Sequence, residues 1–290
     1  MRTKKGIFII PLSAKSSNAP RCFLCGGGRL TDYAVIAQKP ARETDFYIKP
    51  EDYLRRIMVC RDCGVFVNLH AYDLDHLYKG VYNQATYGDQ VHNTYLKIRS
   101  YPQENSINKQ RIKRVVGFLK EKRKGPQNTN VLDVGSGLCV FPGELKDRGF
   151  KCTCIDPDPS SVQHALDHVK VDGAFCGTLA DYSSDQKFGL IAFNKVLEHI
   201  KDPVAVLADA KRLLAEDGYV YIELPDATGA LKNGKIEGRE EFYMEHYTVF
   251  TEASVRFLAN RSGYEAVDVQ AIHEPGDKYT LYAFLKLRGA

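Results

Sequence analysis

From position 131 onward, short apolar runs alternate with amphipathic stretches. Val131 to Val134, Lys151 to Ile155 and Leu190 to Phe193 read as strands, followed by Gly218 to Leu224; Gly173 to Phe175 is a shorter candidate. Between them, apolar positions recur at helical spacing in Phe141 to Arg148, Pro159 to Val169 and Pro203 to Leu214, and later in Glu252 to Ser262. Gly149 and Gly263 close the first and last of these helices. Strands that alternate with helices of this length form βαβ units and a mostly parallel sheet, so the expected class is α/β. The final strands, Ala266 to Ile272 and Tyr279 to Leu287, have no helix between them and must pair antiparallel at their join.

The pattern changes upstream. Residues 1–20 are rich in Ser, Lys and Asn and are expected to be a flexible terminus. Residues 21–68 carry strand-like runs at Tyr33 to Ala37 and Arg56 to Cys60. Residues 69–103 show no clean period and are rich in tyrosine: Tyr72, Tyr78, Tyr82, Tyr87, Tyr95 and Tyr101. They read as a connector whose tyrosines could either cover a ligand or pack between domains. Residues 104–124 predict an amphipathic helix with a solvated basic face. The expected division is therefore a terminus at 1–20, a small module at 21–68, a connector and helix at 69–125, and the main domain at 126–290.

Hydrophobic residues make up 44% and charged residues 26% of the 290, the balance of an ordinary globular protein. The net charge of +4 is small for a dedicated nucleic-acid binder. No apolar run approaches a membrane span. Ile7 to Leu12 follows three basic residues but is too short for a secretory signal and is broken at Pro11. The expected location is cytoplasmic.

Candidate chemistry gathers first at the end of the first strand, where Val131-Leu132-Asp133-Val134 runs into Gly135-Ser136-Gly137. A ligand at the carboxyl edge of a parallel sheet meets this turn, and glycines let the backbone approach it. The next strand ends in Ile155-Asp156, roughly 20 residues on, where a carboxylate accepts hydrogen bonds from ribose hydroxyls. Val140 stands where a third glycine would let a pyrophosphate approach, which favours a nucleoside without one. These pieces, with FNKVLEHIKDP at 193–203 and YVYIELPD at 219–226, resemble the class I S-adenosylmethionine-dependent methyltransferases. The resemblance implies a Rossmann-like, mostly parallel seven-stranded sheet with an antiparallel last strand. It places Asp133, Gly135, Ser136 and Gly137 at the methionine part of the cofactor and Asp156 at the ribose. Pro157 or Asp158, with Thr178 and Leu179, would lie near adenine, and Asn194 near the cofactor's amino group. Glu198 and His199 belong to the same phrase and read as local support and packing.

Cys22-x-x-Cys25-Gly and Cys60-x-x-Cys63-Gly form two knuckles separated by 34 residues. Four thiolates make the closed tetrahedral set of a structural Zn²⁺ in a small zinc-ribbon-like module, whereas a redox CxxC needs only one pair beside a βαβ unit. The phrase CRDCGVFVNL at 60–69 is similar to the zinc-containing sugar methyltransferases. That resemblance extends to Glu245, His246, Phe250 and Thr251, and so implies an acceptor site formed by Tyr243, Glu245 and His246, with His246 or Tyr243 as the base. The expected acceptor is a small molecule, a nucleotide-linked or polymer-linked sugar. The alternatives are an RNA methyltransferase that grips phosphates with the cysteine module and basic helix, and a non-catalytic binding protein that kept the fold.

Overall fold

The computed structural model describes residues 21–72 and 90–289; Tyr78, Tyr82 and Tyr87 lie outside the described residues. The chain enters through β1 (Leu30–Ile36), β2 (Arg55–Cys60) and β3 (Phe66–Leu69), which pair antiparallel in that order. Two helices follow, α1 (Val91–Ser100) and α2 (Ile107–Glu121). The alternating region supplies β4 (Asn130–Val134), α3 (Val140–Lys146), β5 (Lys151–Asp156), α4 (Pro159–His164), β6 (Gly173–Cys176), β7 (Phe188–Asn194), α5 (Pro203–Ala210) and β8 (Leu214–Pro225). After it come α6 (Ala227–Lys232), β9 (Thr248–Val249), α7 (Glu252–Arg261), β10 (Tyr264–Glu274) and β11 (Lys278–Leu287).

Seven strands form one sheet in the order β10-β11-β8-β7-β4-β5-β6. All pairings from β8 to β6 are parallel, and β11 enters antiparallel between β8 and β10, as the missing connecting helix required. The central strands are apolar on both faces because both faces are covered. Leu132, Ile191, Phe193 and Ile222 pack towards Leu207 of α5 and Val255 and Leu258 of α7. Val131, Leu190, Ala192 and Tyr221 pack towards Ile112, Val115 and Leu119 of α2 and Leu145 of α3. Side chains cap the exposed amide groups at several helix starts: Ser106 accepts from Lys109, Asp202 from Ala205, and Thr251 from Ser254.

The second sheet has the order β1-β2-β3-β9. Its fourth strand comes from residues 248–249, so the cysteine-bearing segment is stitched to the chain just beyond the candidate acceptor loop. Cys22, Leu24, Cys60, Cys63 and Val65 share one apolar cluster with Phe250, Val255 and the interior of the larger sheet.

Several boundaries differ from the sequence expectation. The connector holds α1, whose Val91, Tyr95 and Ile98 recur at helical spacing against Val140 and Val169. The basic helix starts at Ile107, after a 3₁₀ turn at Gln103–Asn105, because Ser106 caps it there. The α-helix from Pro159 ends at His164 and continues as a π turn over Ala165–Val169. The helix from Pro203 stops at Ala210, and Leu214 already pairs with Phe188 across a bulge. A Cβ at Gly218 would lie 2.9 Å from the Ala215 carbonyl oxygen and 3.0 Å from that of Phe188, which accounts for the glycine at this bend. The face of α2 is also not wholly solvated, since Arg111 is buried and Arg114 is mostly so.

Candidate functional site

A cavity of about 1060 Å³ opens at the carboxyl ends of β4, β5 and β7. Its lining contains Asp133, Gly135, Ser136, Gly137, Asp156, Pro157, Thr178, Leu179 and Asn194, every residue the sequence proposed for the cofactor. The turn after β4 needs glycine for two separate reasons. Gly135 has φ +71°, and a Cβ there would stand 2.6 Å from Val196. Gly137 has φ +49°, with nothing within 4 Å of the place a Cβ would occupy, so the open space beside it belongs to the cavity. Asp156 secures this turn, accepting from Gly137 N at 2.7 Å and from Asp158 N at 2.9 Å. Burial pushes its carboxyl upward, and the Asp158 and Gly137 amides oppose the shift. Burial also pushes Asp133 up to about 7, against the Asn194 amide that donates to it at 2.8 Å. The Asn194 side chain thus joins two residues of the cavity wall. The Ser136 hydroxyl is buried at the same wall and has no hydrogen-bond partner among the described residues.

Arg111 also lines this cavity. It and Arg114 both donate to Glu223 on β8, Arg114 at 2.6 Å, and the Tyr221 hydroxyl donates to the same carboxylate. Burial alone would raise Glu223, but the charge and hydrogen bond of Arg111, joined by the charges of Lys195 and Arg114, together outweigh it and hold the carboxyl at about 2. Sequence reading placed Arg111 on a solvated face. The available signal was its register: Arg111 lies four residues before Val115 and eight before Leu119, in line with the buried stripe.

A second cavity, of about 440 Å³, adjoins the first, and Lys195 and His199 line both. Tyr243, Glu245 and His246, the residues expected at the acceptor, stand in its wall. Arg42 and Thr44 enter from the loop between β1 and β2, a contribution with no periodic signal in the sequence. Between them Glu43 is buried, accepting from Tyr53 Oη at 2.6 Å and Met244 N at 2.8 Å, with Arg55 Nη2 3.4 Å away. Arg55 in turn donates to the Phe242 carbonyl. This network ties the cysteine-bearing segment to the loop of Phe242 and Met244.

The two histidines at the junction are held alike. His246 Nδ1 lies 2.9 Å from the Glu241 carbonyl oxygen, and His199 Nδ1 lies 2.9 Å from that of Glu245. Burial holds His199 down to about 4 and His246 well below its usual range, where the neighbouring His199 adds to the effect. Burial raises Glu245 to about 7 and Glu198 to about 8. His199, read in the sequence as packing, therefore borders both cavities.

The four cysteines of the knuckles converge as well. Cys22 Sγ and Cys63 Sγ lie 3.7 Å apart, and Cys25 Sγ and Cys60 Sγ 3.6 Å, with no disulfide among them. Ligands on a regular tetrahedron at a Zn–S length of about 2.3 Å stand about 3.8 Å apart, so the set fits that ion. Gly26 and Gly64, at φ +73° and +76°, turn each knuckle, and Gly27 N donates to Cys25 Sγ at 3.3 Å.

Residues 104–269, more than half of the chain, match a family model described as a methyltransferase domain. Ubiquinone biosynthesis O-methyltransferase of Actinobacillus pleuropneumoniae serotype 5b is 26% identical over 121 residues, 38% of this chain and 52% of that protein. Its counterpart in Pasteurella multocida is 24% identical over 128 residues, 39% of this chain and 53% of the other. The chain thus spans about half the length of the curated relatives it matches. Magnesium protoporphyrin IX methyltransferase of Synechocystis, solved with bound S-adenosylhomocysteine, superposes with a TM-score of 0.53 at 16% identity, covering 73% of this chain and 99% of that one. A Burkholderia thailandensis 1,6-didemethyltoxoflavin N1-methyltransferase gives 0.50 at 18% identity, covering 80% and 96%. At such identities the likeness is one of fold. The family match runs from the turn before α2 into β10 and takes in most of the larger sheet and its cavity, and the chain belongs to the family of methyltransferase domains.

Proposed function

We propose that the protein transfers a methyl group from S-adenosylmethionine to a small polyhydroxylated acceptor, a nucleotide-linked or polymer-linked sugar. The observation that carries this reading is the junction of the two cavities at Lys195 and His199. The larger, at the glycine turn and Asp156, suits a nucleoside donor. The smaller, bounded by Tyr243 to His246, suits a polar acceptor beside it. Transfer requires an acceptor lone pair aligned with the methyl carbon. The new bond forms there, the sulfur keeps the pair of the broken bond, and the acceptor loses a proton. Holding both reactants in line supplies much of the rate. Deprotonation runs through His246, with Tyr243 the next group in the wall and Glu245 beside them. We further propose that Cys22, Cys25, Cys60 and Cys63 hold a structural Zn²⁺ whose closed thiolate set leaves no position for catalysis, and that the protein works in a reducing, cytoplasmic setting.

The RNA alternative loses support because Arg111 and Arg114 are spent on Glu223 and Lys124 pairs with Asp217 at 2.7 Å, which thins the basic face. Among the described residues, no helix is long and apolar enough to cross a membrane. The test is transfer of labelled methyl from S-adenosylmethionine to a panel of nucleotide-linked sugars, with ribosomal and transfer RNA alongside. His246→Ala is expected to lower turnover by about 10² to 10⁴-fold, the range for a lost proton-transfer group, with cofactor affinity nearly unchanged. Turnover within about threefold of wild type would remove His246 from the reaction.

A further inference from the structure

We infer that Glu198, His199 and His246 form a divalent-cation site at the junction of the two cavities, separate from the cysteine cluster and open to the acceptor. One ligand atom from each lies within 4.8 Å of the others. A carbonyl oxygen only accepts, so the nitrogen facing it in each ring carries the proton. His199 and His246 therefore both donate through Nδ1 to backbone, at 2.9 Å each, which leaves the lone pair on Nε2. A backbone acceptor on the far ring nitrogen is the arrangement that fixes the tautomer and orientation of metal-bound histidines. The acceptor carbonyl of His246 is itself fixed, because the Glu241 carboxylate takes two bonds from Arg239 at 3.0 Å and one from Tyr279 N at 2.7 Å.

Glu198 supplies the independent observation. It is 1% exposed, and its Oε2 has no hydrogen-bond partner among the described residues. A carboxylate oxygen buried in that state is costly, and a cation removes the cost. Two imidazoles and one carboxylate are the donor set that first-row divalent ions accept while keeping positions open for a further ligand.

The inference rests on the acceptor-site reading and deepens it: His246 would serve deprotonation by holding the ion. An acceptor hydroxyl bound there becomes more acidic. Its proton passes to water, its oxygen bonds to the methyl carbon, and the pair of the broken carbon–sulfur bond stays on sulfur. The acceptor class narrows to hydroxyl-bearing compounds whose oxygens can reach both the ion and the donor.

The experiment uses the full chain with its cysteine-bound zinc in place, titrated with Co²⁺ and followed by visible absorption and by metal analysis. The expected result is one further equivalent of Co²⁺, with d–d bands of nitrogen and oxygen ligation and without thiolate charge-transfer bands. Glu198→Gln and His246→Ala should each weaken it by about tenfold or more, with zinc content unchanged. A wild-type protein that takes up no ion beyond the cysteine site overturns the inference whether or not the variants fold, and so does uptake equal to wild type in both folded variants. If the ion site fails while His246→Ala still abolishes turnover, the acceptor reading stands and the histidine is a free base. If neither effect appears, both readings fall.

Discussion

Asp156 has two duties that its position forces on it. It braces the Gly137 amide and it borders the larger cavity, the proposed donor site. Asp156→Ala should therefore weaken S-adenosylmethionine binding by about 1.5 to 3 kcal/mol, the scale of hydrogen bonds to a charged group, read by calorimetry against an unfolding control. His164 gives a different residue-scale prediction. It is buried beside His92, whose Nδ1 lies 3.3 Å from its Nε2, and against Tyr95 and His168. Burial first, then His168 and His92, hold its pKa down to about 4, whereas the unfolded value is about 6.5. As pH falls, the unfolded chain takes up this proton before the folded one does. Stability is therefore lost between pH 6.5 and 4, by on the order of 2 kcal/mol, and the loss levels off below that. Denaturant midpoints for His164→Phe should fall less steeply across this window than those of wild type, and identical slopes would refute the assignment.

The strands and glycine turn of the larger sheet were legible because each is a local pattern: a buried run, then Gly135 to Gly137, then Asp156 where the next strand ends. The convergence of the cysteines was legible for the same reason. What escaped depends on distant pairing. β9 is two residues long and exists only through its partner β3. The Arg42 to Thr44 loop reaches the smaller cavity because Glu43 is buried against Met244, 201 positions away. Arg111 could be read as solvated until Glu223 was found across from it. Glu43 carries the clearest element-scale prediction. Both it and Arg55 have fully buried side chains, so Glu43→Ala leaves a buried guanidinium without its carboxylate and should cost about 3 to 5 kcal/mol. Glu252→Ala, which breaks the exposed pair with Arg256 on α7, should cost no more than about 0.5 kcal/mol. Comparable midpoints for the two variants would contradict the claim that the Glu43 network fastens the cysteine-bearing segment to the loop of Phe242 and Met244.

At the scale of the molecule, one apolar cluster runs from the cysteine knuckles into the larger sheet, so thermal unfolding should be a single transition that shifts as a whole when Cys60→Ser removes one ligand of the proposed zinc. Two separable transitions would show that the cysteine-bearing segment folds independently. The two cavities share Lys195 and His199, which sets the proposed donor and acceptor sites side by side. Above all, the larger cavity is proposed to be a nucleoside site for the methyl donor. Calorimetric titration of the full chain with S-adenosylhomocysteine tests this most directly, since it requires no knowledge of the acceptor. It should show one site per chain, weakened in Asp156→Ala and nearly unchanged in His246→Ala; no binding by the wild type, or equal binding by Asp156→Ala, would contradict it.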